Sequence, residues 1–150
     1  MNKRYWMRGV ASIALGLALA VPALAGETPD SLAGTKVINA EEAKKLHDAG
    51  VPMIDSRVAA EYAEKTIKGA ISVPYKEKSE KVATFDATQD HFDLSKLPAD
   101  KSAPLVVFCN GPECWKSYKA SVAAVKAGYS KVYWFRGGFP EWSSKGLPTQ

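Results

Sequence analysis

Short apolar runs alternate with amphipathic stretches along this chain, and turn residues separate them. Val37-Ile38, Val51 to Ile54, Ala70 to Val73, Pro104 to Cys109 and Lys131 to Phe135 read as strands. The run Leu105-Val106-Val107-Phe108 is apolar throughout rather than alternating, which suits a central parallel strand covered on both faces. Asn39 with Glu42 three residues on predicts a capping-box start for a helix through Ala43, Leu46 and His47, and Gly50 its stop. Ala59 to Lys65, Glu113 to Ala127 (closed by Gly128) and Phe139 to Lys145 read as further helices. Tyr75 to Pro98 is polar and charged, with Phe85, Phe92 and Leu94 as apolar anchors, and reads as helix plus irregular excursion. Strands alternating with helices predict a single α/β domain, a central parallel sheet flanked by helices. In open sheets of this kind ligands bind beyond the carboxyl ends of the strands, where Asp55, Cys109 and Arg136 stand.

Residues 1–25 follow a different pattern. Lys3, Arg4 and Arg8 precede a small and apolar run from Gly9 to Ala20, and Pro22 and Ala23-Leu24-Ala25 close it as an Ala-x-Ala cleavage site. This is the layout of a secretory signal, and its apolar run is short against the roughly 20 residues of a membrane span. The expectation is a periplasmic protein cleaved after Ala25, without stable membrane insertion afterwards. A flexible lead-in is expected over residues 26–36 and the folded domain over 37–150. The first cysteine is Cys109, so no lipid anchor on a new N-terminal cysteine is available.

That segment changes the meaning of the charge. The whole chain carries a formal +4, but residues 1–25 supply three Lys/Arg and no acid, so residues 26–150 carry only +1. A nucleic-acid partner thereby loses its electrostatic basis. A length of 150 residues fits one domain, and 46% hydrophobic with 24% charged residues excludes a fibrous or disordered chain. Two cysteines are too few for a disulfide-rich scaffold. The near-neutral domain is expected to be a monomer.

The candidate chemistry lies in Phe108-Cys109-Asn110-Gly111-Pro112-Glu113-Cys114-Trp115-Lys116-Ser117. A cysteine closes an apolar strand, a Gly-Pro turn follows and a helix begins. Such a turn can aim several backbone N–H groups, with the positive end of the helix, at one point. A thiolate there is stabilised below the free thiol pKa of about 8.5, and Lys116 adds positive charge. This suits an anionic sulfur or oxyanion substrate. Two plainer readings stand beside it: a buried structural cysteine, or a disulfide between Cys109 and Cys114 in an oxidising compartment. The spacing is not Cys-x-x-Cys, and neither histidine is near enough in sequence to suggest zinc.

Three ordered motifs resemble the single-domain rhodanese-type sulfurtransferases. Met53-Ile54-Asp55-Ser56-Arg57, Glu61-Tyr62 and Ile67-Lys68-Gly69-Ala70-Ile71-Ser72-Val73-Pro74 resemble the first signature of that family. Leu105 to Asn110 resembles the strand into its catalytic cysteine, and Arg136-Gly137-Gly138-Phe139-Pro140-Glu141-Trp142 its closing segment. The resemblance covers about Val37 to Leu147. Lys65-Thr66-Ile67-Lys68 replaces the usual Gly-His-Ile-Pro. The loop after Cys109 lacks the common Arg-rich pattern and is longer before Ser117, similar to a subset with a Cys-Asn-Gly-Pro loop.

The resemblance implies that the Cys109 thiolate attacks the outer sulfur of a small anionic donor such as thiosulfate. Sulfite would leave, and a persulfide would form that cyanide or a thiol accepts. Residues Asn110, Gly111, Pro112, Glu113, Cys114, Trp115 and Lys116 would form the substrate-binding loop. No metal or organic cofactor is implied. Asp55, Arg57 and Glu61 read as structural support that ties loop to sheet. Arg136 could face the pocket, with Gly137-Gly138 serving a tight turn. Asp86, Asp90 and Asp93 lack calcium-loop spacing and read as a solvated loop. Cys114 could be a resolving thiol or an inert helix residue. Two competing functions remain: a thiol–disulfide oxidoreductase using Cys109 and Cys114, and a non-enzymatic binding module of the same fold. A cysteine phosphatase would want an arginine where Cys114, Trp115 and Lys116 stand.

Overall fold

The computed structural model describes residues 26–150, so the signal-like segment and its cleavage site lie outside the described residues. Five strands form one parallel sheet: β1 (Thr35–Val37), β2 (Met53–Asp55), β3 (Ile71–Ser72), β4 (Leu105–Phe108) and β5 (Val132–Phe135), in the order β1-β5-β4-β2-β3. Among the described residues four α-helices flank the sheet: α1 (Ala40–Asp48), α2 (Ala59–Glu64), α3 (Trp115–Lys126) and α4 (Gly138–Ser144).

Local chemistry accounts for the boundaries. Asn39 and Glu42 form the anticipated capping box, each satisfying a backbone N–H of the other. β4 is central and buried at every position, as its unbroken apolar run requires. Its side chains divide by parity. Val106 and Phe108 join Met53, Phe135 and Trp142 on the face that also packs α1 residues. Leu105 and Val107 join Ile54, Val73, Ala120 and Ala124 on the face covered by α3. A third cluster of Trp115, Tyr118 and Trp134 holds the start of α3 near β5.

Two expectations need correction. The Tyr75–Pro98 stretch contains no α-helix. It holds two short 3-10 turns, Ala87–Gln89 and Leu94–Lys96, and an antiparallel bridge between Lys76 and His91. Asp86 and Asp93 explain this, because their carboxylates accept from the N–H groups of Thr88 and Ser95 and so close single turns. The second correction concerns residues 26–36, expected as a flexible lead-in. Thr35 and Lys36 pair with β5, and Thr28 is buried against the loop after β4. Partners remote in sequence hold this segment, a circumstance that local composition does not encode.

Register places the site. Asp55 pairs with Phe108, and Phe108 with Phe135. The residues that follow, Ser56, Cys109 and Arg136, therefore emerge together at the carboxyl end of the three inner strands.

Candidate active site

Cys109 leaves β4 with 1% of its surface exposed. Its sulfur is bonded to that of half-buried Cys114, with the two Cα atoms 6.2 Å apart. The intervening loop turns through Gly111 at φ +112°, a conformation that favours glycine. Cys114 is the N-cap residue of α3 and supplies no side-chain cap. Its N–H donates to the Gly111 carbonyl at 3.0 Å. The N–H groups of Asn110, Gly111, Glu113 and Trp115 have no acceptor among the described residues. The loop thus offers backbone donors and the positive end of a helix to an anion.

A second glycine seals the other side. A Cβ on Gly138, at φ +62°, would sit 2.2 Å from the Cys109 carbonyl oxygen. Its absence lets the start of α4 close on that oxygen, which accepts from the Phe139 N–H at 2.8 Å. Gly138 is therefore a packing requirement of the cysteine loop as well as part of a turn.

Asp55 and Arg57 form a buried fork beneath one flank. Arg57 Nε donates to Asp55 Oδ1 at 3.0 Å and Nη2 to Oδ2 at 2.8 Å. Asp55 also accepts from the Thr66 hydroxyl at 2.8 Å. Arg57 reaches onward to the Lys65 carbonyl at 2.7 Å and to Asn110 Oδ1 at 3.4 Å, with its guanidinium over the Phe139 ring. The Asn110 amide in turn donates to Glu61. Ser56 donates from its hydroxyl to the Phe108 carbonyl at 2.8 Å. The loop is bound to the sheet through this set.

The opposite flank carries a polar node that the sequence reading missed. Lys119, in the middle of α3, is fully buried. Its ammonium lies 2.8 Å from Glu77 and donates to the Ser79 hydroxyl at 2.8 Å and carbonyl at 3.2 Å, with the Phe85 ring beside it. Ser79 donates from its hydroxyl and its N–H to Asp90, which also accepts from Lys78 N–H and the Tyr75 hydroxyl. Burial works to raise the Asp90 pKa. The hydrogen bonds from Ser79, Lys78 and Tyr75 outweigh it and bring the pKa down to about 2. Burial, then the Asp90 carboxylate, push the Tyr75 hydroxyl above its ordinary range, so it remains a donor. One available signal was helical spacing. Trp115, Tyr118, Lys119 and Val122 fall on one α3 stripe, so Lys119 shares its side with aromatic core residues.

The 26–28 segment straps the loop. Thr28 donates to the Pro112 carbonyl from both its N–H (2.8 Å) and hydroxyl (2.7 Å), and Trp115 Nε1 donates to the Gly26 carbonyl at 3.0 Å. Arg136 holds the strap, donating to the Thr28 carbonyl at 2.6 Å and hydroxyl at 3.1 Å. A shallow groove of about 620 Å³ runs beside it, lined by Asp30, Asn39, Pro112, Arg136, Gly137 and Glu141.

The structure therefore gathers Cys109 with Cys114, and Asp55, Arg57, Glu61 and Asn110 into one network. It turns other side chains elsewhere. Trp115 packs edge-on against Tyr118, Lys116 lies 4.0 Å from Glu77, and Glu113 points into solvent-exposed space. Backbone donors, rather than these side chains, are what the loop leaves open. Asp86 and Asp93 cap their turns and Asp90 belongs to the Ser79 network, and no three His, Cys, Asp or Glu side chains gather as metal ligands among the described residues. No helix among them is long and apolar enough to cross a membrane.

Residues 39–145 match the model of the rhodanese-like domain. A curated relative, the chloroplastic thiosulfate sulfurtransferase 16 of Arabidopsis thaliana, is 28% identical over 68% of this chain and 82% of its own length. The crystal structure of the Alr3790 protein from Anabaena sp. superposes with a TM-score of 0.56 at 24% identity, covering 75% of this chain and 90% of that one. A thiosulfate sulfurtransferase from Pseudomonas aeruginosa superposes with a TM-score of 0.54 at 25% identity. That match covers 77% of this chain but 20% of the longer protein.

Proposed function

The chain belongs to the rhodanese-like domain family, and on that premise we propose that it is a periplasmic sulfurtransferase working through a Cys109 persulfide. In the reduced protein the Cys109 thiolate attacks the outer sulfur of thiosulfate or a similar sulfane donor. The donor's sulfur–sulfur bond breaks, sulfite leaves, and the persulfide passes its sulfur to cyanide or a thiol. Loop N–H groups and the start of α3 hold the anionic sulfur. The observation that carries this reading is Cys109 at the carboxyl end of central β4, heading a loop of unpartnered N–H groups. The thiosulfate sulfurtransferase named among its relatives supports the reaction class. Export rests on the pattern of residues 1–25.

The test is thiocyanate formation from thiosulfate and cyanide by the reduced protein. Loss of that activity to background in Cys109→Ser is expected, and unchanged turnover would overturn the assignment. A second reading, thiol–disulfide exchange without sulfur transfer, is favoured by one observation, the Cys109–Cys114 bond itself. It would show as dithiol oxidation by the disulfide form with no sulfite released from thiosulfate by the reduced form.

A further inference from the structure

The fold brings a second thiol to the same sulfur that the proposed reaction would load. Cys109 is buried at the strand end, whereas Cys114 is half-buried on the N-cap of α3, and their Sγ atoms meet directly. Two loop side chains near this pair are engaged elsewhere. Asn110 is held by Glu61 and Arg57, and Lys116 faces Glu77.

We propose that Cys114 resolves the Cys109 persulfide, so that the protein reduces the sulfane sulfur of its donor to hydrosulfide. The inference rests on the sulfurtransferase reading above and adds an activity to it. First, the Cys109 thiolate and thiosulfate give the Cys109 persulfide anion and sulfite. Second, Cys114 Sγ attacks Cys109 Sγ, the bond from Cys109 Sγ to the outer sulfur breaks, and the outer sulfur leaves as hydrosulfide with the proton of the Cys114 thiol. The outer sulfur gains two electrons, and the two cysteines lose two in forming their disulfide. Attack on the inner sulfur follows from the geometry, since the closed loop is the product of that attack. An external dithiol then completes the cycle. It attacks the more exposed Cys114 sulfur, expels the Cys109 thiolate into the loop, and leaves as its own cyclic disulfide.

The test is a single turnover with the fully reduced protein, freed of external thiol, and stoichiometric thiosulfate. Sulfite, trapped sulfide and intact mass are read together. The expected result is equal sulfite and sulfide, with the protein finishing two hydrogens lighter. Cys114→Ser and Cys114→Ala should release sulfite and no sulfide, and finish one sulfur heavier. A wild-type chain that releases sulfite but keeps the extra sulfur would overturn resolution by Cys114 and leave the sulfurtransferase reading intact. So would equal sulfide release by wild type and either Cys114 variant. Sulfite released by none of the proteins would instead overturn the sulfurtransferase reading. Should neither variant fold, the wild-type product alone decides, disulfide with sulfide against a lasting persulfide.

Discussion

The cysteine loop hangs between two buried ion pairs that were built in opposite ways. Asp55 and Arg57 are two residues apart and stand where β2 ends, so the pair forms inside one turn of chain. Lys119 and Glu77 come from the middle of α3 and from the irregular excursion after β3, and only the tertiary fold brings them together. The first pair is a bidentate fork, with the Asp55 side chain at 0% exposure and Arg57 at 4%. The second is a point charge shared among a carboxylate, a hydroxyl, a carbonyl and a ring, and Glu77 keeps a second cation, Lys116, at 4.0 Å. The lesson is about partners left behind. Removing a cation harms a fold according to how completely its carboxylate is cut off from any substitute.

The largest effect is accordingly expected at Arg57. Arg57→Met strands Asp55 at a site with no access to water, and loss of one partner of such a pair costs about 3–5 kcal/mol. It also removes a donor from the Lys65 carbonyl and from Asn110, which is left with Glu61 alone. Urea denaturation should show the loss in the midpoint, and sulfur transfer should fall even at temperatures where the protein remains folded, because Asn110 follows Cys109 directly. A variant of near wild-type stability would mean that Asp55 finds another partner, and the two pairs would then not differ in this way.

Lys119→Met should cost less, about 2 kcal/mol, below the usual range for a broken buried pair. Methionine keeps most of the hydrocarbon against Phe85, and Glu77 can turn toward Lys116. Pairing it with Glu77→Gln should recover part of the loss, since no charge is then stranded. Equal losses for Arg57→Met and Lys119→Met under the same denaturant would erase the distinction between the two flanks.

The same contrast explains what could be seen in the sequence. The Asp-Ser-Arg turn, the apolar β4 run and the cysteine that ends it are local patterns, and each carried its own position in the sheet. The Asn39–Glu42 box is local too, and α1 begins where it says. Lys119 drew no expectation because its acid lies 42 residues earlier, in a stretch that reads as helix plus irregular excursion and forms short aspartate-capped turns. Thr28 and Arg136 looked unconnected for a similar reason. Arg136 donates to the Thr28 carbonyl and Thr28 donates to the Pro112 carbonyl, and both acceptors are backbone groups common to every residue type. Burial of a charge by remote partners leaves little trace in local composition, beyond the helical stripe that Lys119 shares with Trp115 and Tyr118.

The smallest expected effect sharpens the comparison from the excursion side. Asp90 sits one hydrogen bond beyond Lys119, through Ser79, and is neither paired with a cation nor wholly buried. Its pKa is held near 2, below the ordinary 3.8, so it binds protons less readily in the folded protein than in the unfolded one. The stability this contributes is therefore present above about pH 4 and is lost as the pH falls toward 2. Asp90→Asn keeps an oxygen acceptor for the Ser79 and Lys78 N–H groups and loses the charge, so the cost near neutral pH should be about 1 kcal/mol. The diagnostic readout is the slope. Between pH 4 and 2 the wild type should lose stability more steeply than Asp90→Asn, and the two curves should converge at the acid end. Parallel curves would show that the Tyr75–Ser79–Lys78 cage holds the neutral and ionised carboxyl equally well. The charge-dependent part of the excursion flank's stability would then fall to Lys119 and Glu77.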